Sequence, residues 1–126
     1  MPVRSAYEYS VIRLVPRVER GEAINVAVVL FCRAQRFLDA RIQFVPERAL
    51  TLDASLDVAA VAEQLERIPL ICRGGAAAGP IGELPPQERF RWLAAPRSTI
   101  IQPSAIHSGL CNDPAAVLEH LADRLL

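Results

Sequence analysis

The sequence contains no lysine, because all 14 of its cationic residues are arginine. Without lysine the chain can neither form a Schiff base with a carbonyl substrate nor use a lysine as general base. A Walker-type phosphate loop, which needs a Gly-Lys-Ser/Thr sequence, is excluded for the same reason. The absence of one residue type therefore removes two common classes of chemistry.

Cysteine is scarce. The chain has 3 cysteines and no CxxC pair, so neither a thioredoxin-type redox site nor a zinc ribbon is indicated. Cys32 and Cys72 lie in apolar segments and are expected to act as small buried hydrophobic side chains. His107 and Cys111 are spaced as two metal ligands could be, but a third and a fourth ligand would have to come from distant segments of the chain. We therefore expect no metal site and no cofactor.

Long apolar runs are also missing. The most apolar run, 24–32, is interrupted by Asn25 and is far shorter than the roughly 20 residues of a membrane-spanning helix. The N-terminal residues MPVRSAYEYS contain no apolar stretch of the kind found in secretory signals. We expect a cytoplasmic protein without a membrane partner.

Charge of neither sign is in excess, with 14 acidic residues against 14 basic ones. This balance argues against a nucleic-acid-binding protein, which would need a basic surplus to contact phosphates. A hydrophobic fraction of 52% argues against intrinsic disorder. The length of 126 residues predicts one globular domain, residues 1–126.

Three segments in the first part of the chain have the patterns of strands joined by short polar turns. Residues 7–16 are rich in aromatic and β-branched side chains. Residues 23–33 are apolar at both alternate positions, as in the middle of a covered sheet. Residues 37–45 alternate between apolar and polar, as in a half-buried strand. Together they predict an antiparallel meander.

The remaining chain has mainly helical signals. One turn is expected at 46–52, which begins with a proline. Asp57 caps a helix whose apolar residues recur every three or four positions until Pro69 ends it. Residues 87–95 form a short helix between prolines, and a C-terminal helix begins at Pro114 after an Asn-Asp cap.

Two segments lie between these helices. The segment 72–86 is rich in glycine and proline and is predicted to be a flexible surface loop. The segment 97–107 is extended and predicts a fourth strand, with Pro103 at an edge or a bulge. Strands and helices thus come in blocks. We predict an α+β fold in which an antiparallel three-stranded meander and a later fourth strand pack with about three helices.

The first candidate binding cluster surrounds the turn after the first predicted strand. Its members are Arg13, Arg17, Glu19, Arg20, Glu22 and Asn25. Arg13 is expected on the same face of its strand as several apolar side chains, where an unpaired guanidinium is costly. It therefore needs a partner, either Glu22 across the hairpin or an anionic ligand. Asn25 interrupts an apolar strand and needs partners for the same reason. The cluster predicts either a hairpin tied by internal hydrogen bonds or a binding site.

The second candidate cluster follows the short helix. Its members are Arg91, Trp92, Arg97, Ser98, Thr99, Gln102 and His107, with Arg89 beside them. Arginines next to hydroxyl groups can clasp a phosphate or a carboxylate, and Trp and Arg are enriched in protein-binding hot spots. The alternative is that the tryptophan packs internally and the arginines are solvated. One basic cluster in a neutral chain does not make a nucleic-acid footprint.

A catalytic role for His107 as general base would need Ser108 or Cys111 as the nucleophile. Neither pair lies in a nucleophile-elbow sequence such as GxSxG, and no carboxylate is placed to orient the histidine. Neighbouring residues on a strand also point to opposite faces, which disfavours the pair with Ser108. We assign no catalytic residue, and the sequence leaves open whether the protein is an enzyme.

Two stretches, YEYSVIRLVPRVERGEAINVAVVLFCRA and RFRWLAAPRSTIIQPSAIHSGLCNDPAAVLEHL, resemble the bacterial DUF3037 family. With the segment between them, the likeness covers nearly the whole chain. A glycine often stands in that family where this chain has Ala27. The resemblance implies a small cytoplasmic bacterial protein. The genes of family members often lie beside a gene for a HipA-like kinase-fold protein, so the resemblance implies that protein as a partner. The family supplies no known activity and no catalytic residue.

Two functions are therefore expected. The first is a non-catalytic accessory or interaction module, whose partner is a HipA-like kinase-fold protein or another copy of itself bound through the polar edge strand. The second is a small enzyme or sensor that binds an anionic metabolite or nucleotide through Arg13, Arg17, Arg91 and Arg97. Convergence of the two arginine clusters on one concave surface would favour the second function.

Overall fold

The first three strands form the predicted meander in the computed structural model, which describes residues 4–126. They are β1 (Ser5–Leu14), β2 (Ile24–Cys32) and β3 (Phe37–Ile42). β2 lies between the other two, and its residues 26–32 are all buried. This confirms the prediction of a strand covered on both faces. Residues 1–3 of the predicted domain lie outside the described part.

The segment predicted as a single fourth strand contains two strands, β4 (Ile101–Pro103) and β5 (His107–Cys111), and both pair antiparallel with β1. Ser104, which lies between them, is buried. Its hydroxyl accepts a hydrogen bond from the Val11 amide (2.9 Å), and its own amide donates to the Val11 carbonyl (2.7 Å). The regular ladder is interrupted at this anchor, so the sheet has five strands instead of four.

Helices cover both faces of this sheet. They are α1 (Pro46–Leu52), α2 (Val58–Arg73), α3 (Pro86–Ala94) and α4 (Pro114–Leu125). The first three pack on the face that carries Ile12 and Val29, and α4 packs on the face that carries Val28 and Leu30. The fold class is therefore α+β, with more helices than predicted. Within residues 4–126, no helix combines the length and hydrophobicity that crossing a bilayer requires.

Helix α2 continues through Pro69, its predicted end, and finishes at Arg73. A proline inside a helix removes one backbone hydrogen bond and is costly. Ile71 and Cys72, in the last turn, are buried in the core. The Arg89 side chain donates hydrogen bonds to both of their carbonyl oxygens (2.7 Å each). Packing and this side-chain cap therefore offset the cost of the proline.

The segment 72–86 contains a 3-10 helix at Ala76–Glu83, which packs against α2. Ala78 and Gly82 are buried in it. A Cβ atom at Gly82 would collide with the carbonyl oxygen of Gly75, so only glycine allows the backbone to close there. The segment is thus more ordered in shape than a plain loop, and its flexibility stays a prediction.

Candidate functional site

Arg13 is exposed, so the expectation that its guanidinium lies among apolar side chains is wrong. It lies opposite Asn25 on β2 and Gln102 on β4. Helix α4 ends beside this point, where the Asn25 amide donates a hydrogen bond to the carbonyl oxygen of Leu125 (3.1 Å). Asn25 has the internal partner that its position demands, and Arg13 needs none.

The turn between β1 and β2 holds most of its charges in solvent. Arg20 pairs with Glu22 (2.8 Å), so Glu22 is not the predicted partner of Arg13. Glu19 is exposed in the same turn. Exposed pairs of this kind contribute little to stability. The geometry fits a hairpin tied by its own contacts better than a ligand site.

Arg17 fastens this turn to α1. Its guanidinium lies 3.6 Å from the carboxylate of Asp53, the residue that follows α1. Hydrogen bonds from the hydroxyl and amide of Ser55, together with Arg17, lower the pKa of Asp53. Arg17 is therefore engaged within the molecule.

A cleft of about 490 Å³ opens between α2, α3 and β4, on the sheet face opposite Arg13. Its floor is apolar and its rim is polar. The floor is formed by Ile12, Ile68, Ile71, Leu93 and Ile101, and the rim by Gln64, Arg67, Trp92, Arg97 and Thr99. No aspartate or glutamate among the described residues lines it. We call this feature the Arg67–Arg97 cleft.

Arg97 is held in place at the rim. Its guanidinium carbon lies 4.5 Å from the centroid of the Trp92 ring. Its Nη2 donates to the Trp92 carbonyl (2.8 Å) and its Nη1 to the Leu93 carbonyl (3.4 Å), which caps the end of α3. Burial lowers the pKa of Arg97, but an arginine with this environment stays charged at neutral pH. The cleft therefore presents a positioned positive charge.

Arg67 is the charged cleft residue that the sequence patterns do not single out. It lies one turn after Glu63 on the polar side of α2, where an ordinary surface pair is the simplest expectation. Within residues 4–126, however, no carboxylate lies within salt-bridge distance of Arg67. The only local signal is its position beside the buried Ile68. The approach of α3 and β4, which makes the cleft, is a tertiary feature.

A second depression, of about 370 Å³, adjoins the Arg67–Arg97 cleft. Its lining is Arg67, Leu70, Ile71, Ala76, Ala77, Ala78 and Gly79. Because Arg67 and Ile71 line both depressions, the two meet at these residues. The two depressions together, with Arg67 at their shared border, are called the groove.

Arg89 has a structural position. It is 9% exposed, and besides the two carbonyls at the end of α2 its Nε donates to the carbonyl of Leu84 (2.9 Å). These hydrogen bonds join α2, the end of the 3-10 helix and α3. Because the buried guanidinium donates its hydrogen bonds to main-chain carbonyls, it is not available to a ligand.

The remaining members of the second cluster do not line the cleft. Arg91 and Ser98 are exposed, and the Gln102 amide donates to the carbonyl of Thr99 (2.8 Å). The His107 ring lies 5.2 Å from that of Tyr9, which packs on the α4 side of the sheet. The two predicted clusters therefore do not converge, since the sheet separates Arg13 from the cleft.

His107, Ser108 and Cys111 are not arranged for nucleophilic catalysis. His107 and Ser108 are consecutive residues of β5, whose alternation sends their side chains to opposite faces. Burial, with the nearby Cys32, raises the pKa of the Cys111 thiol, which disfavours the nucleophilic thiolate. Among the residues that the structure describes, no three His, Cys, Asp or Glu side chains gather as a metal site.

Comparison with known proteins gives a single kind of match. The model of a family described as "Protein of unknown function (DUF3037)" matches residues 9–126. No curated protein and no solved structure matches the chain. The matched range includes every residue that lines the two depressions.

Proposed function

The chain belongs to the DUF3037 family, and from that premise we propose that it is a non-catalytic interaction module that docks a partner protein on the Arg67–Arg97 cleft. The observation that carries the proposal is the cleft itself, in which two guanidinium groups border an apolar floor and no carboxylate of residues 4–126 belongs to the lining. Trp92 stands at its rim and is 39% exposed. Trp and Arg are the residue types most enriched at binding hot spots.

The residues that line the cleft favour the binding of a partner over catalysis. Among residues 4–126, no histidine, cysteine or carboxylate lines the cleft to act as nucleophile or general base. Its one hydroxyl, on Thr99, donates a hydrogen bond to the carbonyl of Ile101 (3.1 Å). Binding of a partner needs only the apolar surface and the two positive charges.

The first partner to test is a HipA-like kinase-fold protein, which the family resemblance implies. Both proteins would act in the bacterial cytoplasm. Co-expression followed by size-exclusion chromatography should give one co-eluting peak. The same peak should persist with Arg33→Gln, an exposed arginine of the β2–β3 turn that lines neither depression.

The double variant Arg67→Gln/Arg97→Gln should separate the two proteins. Separate elution of the unmodified pair at micromolar concentration contradicts the partnership. Co-elution of the double variant as strong as that of Arg33→Gln contradicts the assignment to the cleft. The mass of the isolated chain, from light scattering, tests self-association, for which β3, the strand at one edge of the sheet, is the surface we expect.

A second candidate function is an anion sensor, because the volume of the cleft lies in the range of small-molecule sites. A thermal-shift screen of nucleotides, phosphosugars and carboxylates tests it. A ligand at a hundred times its dissociation constant adds about 2.7 kcal/mol to stability. The shift should vanish in Arg97→Ala and persist in Arg13→Ala, which lies on the other sheet face. Absence of any shift across the screen contradicts this function.

A further inference from the structure

The shape of the groove distinguishes between kinds of occupant. The two depressions meet at Arg67 and Ile71, so apolar surface lies on both sides of one positive charge. A compact metabolite would fill one depression and leave the other empty. An extended chain can place successive side chains in both while its backbone passes Arg67.

Charge defines the chemistry of that chain. Arg67 and Arg97 have no carboxylate within salt-bridge distance among residues 4–126. Arg97 is positioned by the main chain of α3, so little side-chain freedom is lost when it binds an anion. Guanidinium groups bind carboxylates through charge-assisted hydrogen bonds. The occupant therefore carries acidic groups where it passes these arginines.

Side-chain size defines the rest. The larger depression has a floor of isoleucine and leucine side chains, which suits a branched aliphatic or aromatic side chain. The second one is walled by Ala76, Ala77, Ala78 and Gly79, which carry at most a methyl group and so let another backbone come close.

We infer that the groove binds an extended peptide segment of the partner in which an acidic residue, seated at Arg67, is flanked by apolar residues that fill the two depressions. This inference rests on the proposed function and specifies its occupant. The sequence pattern that it predicts is apolar–acidic–apolar, with a further acidic group near Arg97.

A random octapeptide display library, selected on the immobilised full chain, tests the inference without a known partner. Enriched sequences should combine Asp or Glu with Leu, Ile or Phe in the predicted pattern. The best sequence, made with a fluorescent label, should bind Arg33→Gln as tightly as the unmodified chain. It should bind Arg67→Gln and Arg97→Gln about tenfold more weakly each, because each substitution removes a charge-assisted hydrogen bond. Replacing the acidic residues of the peptide by their amides should have a similar effect.

Several outcomes would overturn the inference. The first three are a selection that enriches no peptide, enriched peptides without acidic residues, and a peptide that binds the double variant as tightly as the unmodified chain. The fourth is a peptide that fails to displace a nucleic acid or small anion bound in the groove. If the double variant still loses the partner protein in co-elution while no peptide is enriched, the groove recognises a folded surface. The proposed function then stands and the peptide inference fails. If co-elution also survives in the double variant, both fail.

Discussion

The guanidinium of Arg97 lies over the indole ring of Trp92 at 4.5 Å from the ring centroid, while the same guanidinium caps the helix on which Trp92 lies. The two side chains therefore hold each other at the rim of the cleft. A tryptophan and an arginine fixed before binding lose little conformational entropy when a partner arrives. This pair is the structural basis of the proposed docking site.

The first prediction concerns that pair. Arg97→Ala should lower the free energy of unfolding by about 1 kcal/mol, because it removes an exposed cation–π contact and a helix cap. Arg97→Lys keeps the charge but not the planar stacking, so its loss should be smaller. Urea denaturation followed by the fluorescence of Trp92, the single tryptophan of the chain, measures both. Equal stability of all three proteins would show that the stacking contributes nothing.

The second prediction concerns the buried guanidinium of Arg89. Arg89→Met keeps the volume but leaves the carbonyls of Ile71, Cys72 and Leu84 without their donor. It should destabilise the fold by about 2–3 kcal/mol, as expected for lost hydrogen bonds to a charged group. The exposed neighbour provides the control, since Arg91→Met should change stability by less than about 0.5 kcal/mol. Similar denaturation midpoints for the two variants would refute the structural role of Arg89.

The third prediction concerns the anchor between β4 and β5. Ser104→Ala removes the acceptor of the Val11 amide, a buried group that would be left unsatisfied, and should cost about 1–3 kcal/mol. Ser10→Ala removes the donor to the Ser104 carbonyl and a 3.4 Å contact with the Ser104 hydroxyl, but it leaves the Val11 amide its acceptor, so it should cost less. Hydrogen exchange of the Val11 amide should quicken in Ser104→Ala and stay slow in Ser10→Ala. Unchanged protection in Ser104→Ala would contradict the role of the anchor.

The fourth prediction concerns alkaline pH. Burial, with a smaller contribution from Asp39, raises the pKa of Cys72 from 9.0 to about 12. The thiol of the unfolded chain ionises first, so its contribution to stability is complete below pH 9.0 and is lost as the pH rises toward about 12. Between these two pH values, the Cys72 thiol lowers the free energy of unfolding by about 1.4 kcal/mol for each pH unit.

The matched variant for this prediction is Cys72→Ala. Denaturation curves under reducing conditions, recorded at a series of pH values above 9.0, should fall more steeply with pH for the unmodified chain than for the variant. The variant is compared by its slope, because the smaller side chain also lowers stability at neutral pH. Parallel slopes would mean that Cys72 titrates alike in the folded and unfolded states.

Much of the sheet could be predicted because strand signals are local. The alternation in β3 places Leu38, Ala40 and Ile42 toward the three-helix side, as the structure confirms. The apolar run of β2 likewise predicts cover on both faces. The break between β4 and β5 could not be predicted, since it depends on a hydrogen bond between Ser104 and Val11, 93 positions apart.

The site was only partly predictable for a similar reason. Trp92, Arg97 and Thr99 are neighbours in sequence, and the structure keeps them together at the cleft rim. Arg67 joins them from a distant helix, where its spacing from Glu63 suggests an ordinary surface pair. The alternation of side chains along β1 is a poor guide to the exposure of Arg13. It decides the face of the sheet on which Arg13 lies, but not how far the helix on that face extends.

The most direct test of the docking site uses the single indole N–H resonance of the chain. Because Trp92 is the only tryptophan, its indole signal in a nitrogen-15 correlation spectrum is assigned without ambiguity. On addition of the co-purified partner, we predict that this resonance shifts or broadens together with the side-chain Nε signals of Arg67 and Arg97, while that of Arg33 does not change. An indole resonance that stays in place while the partner binds elsewhere would contradict the account.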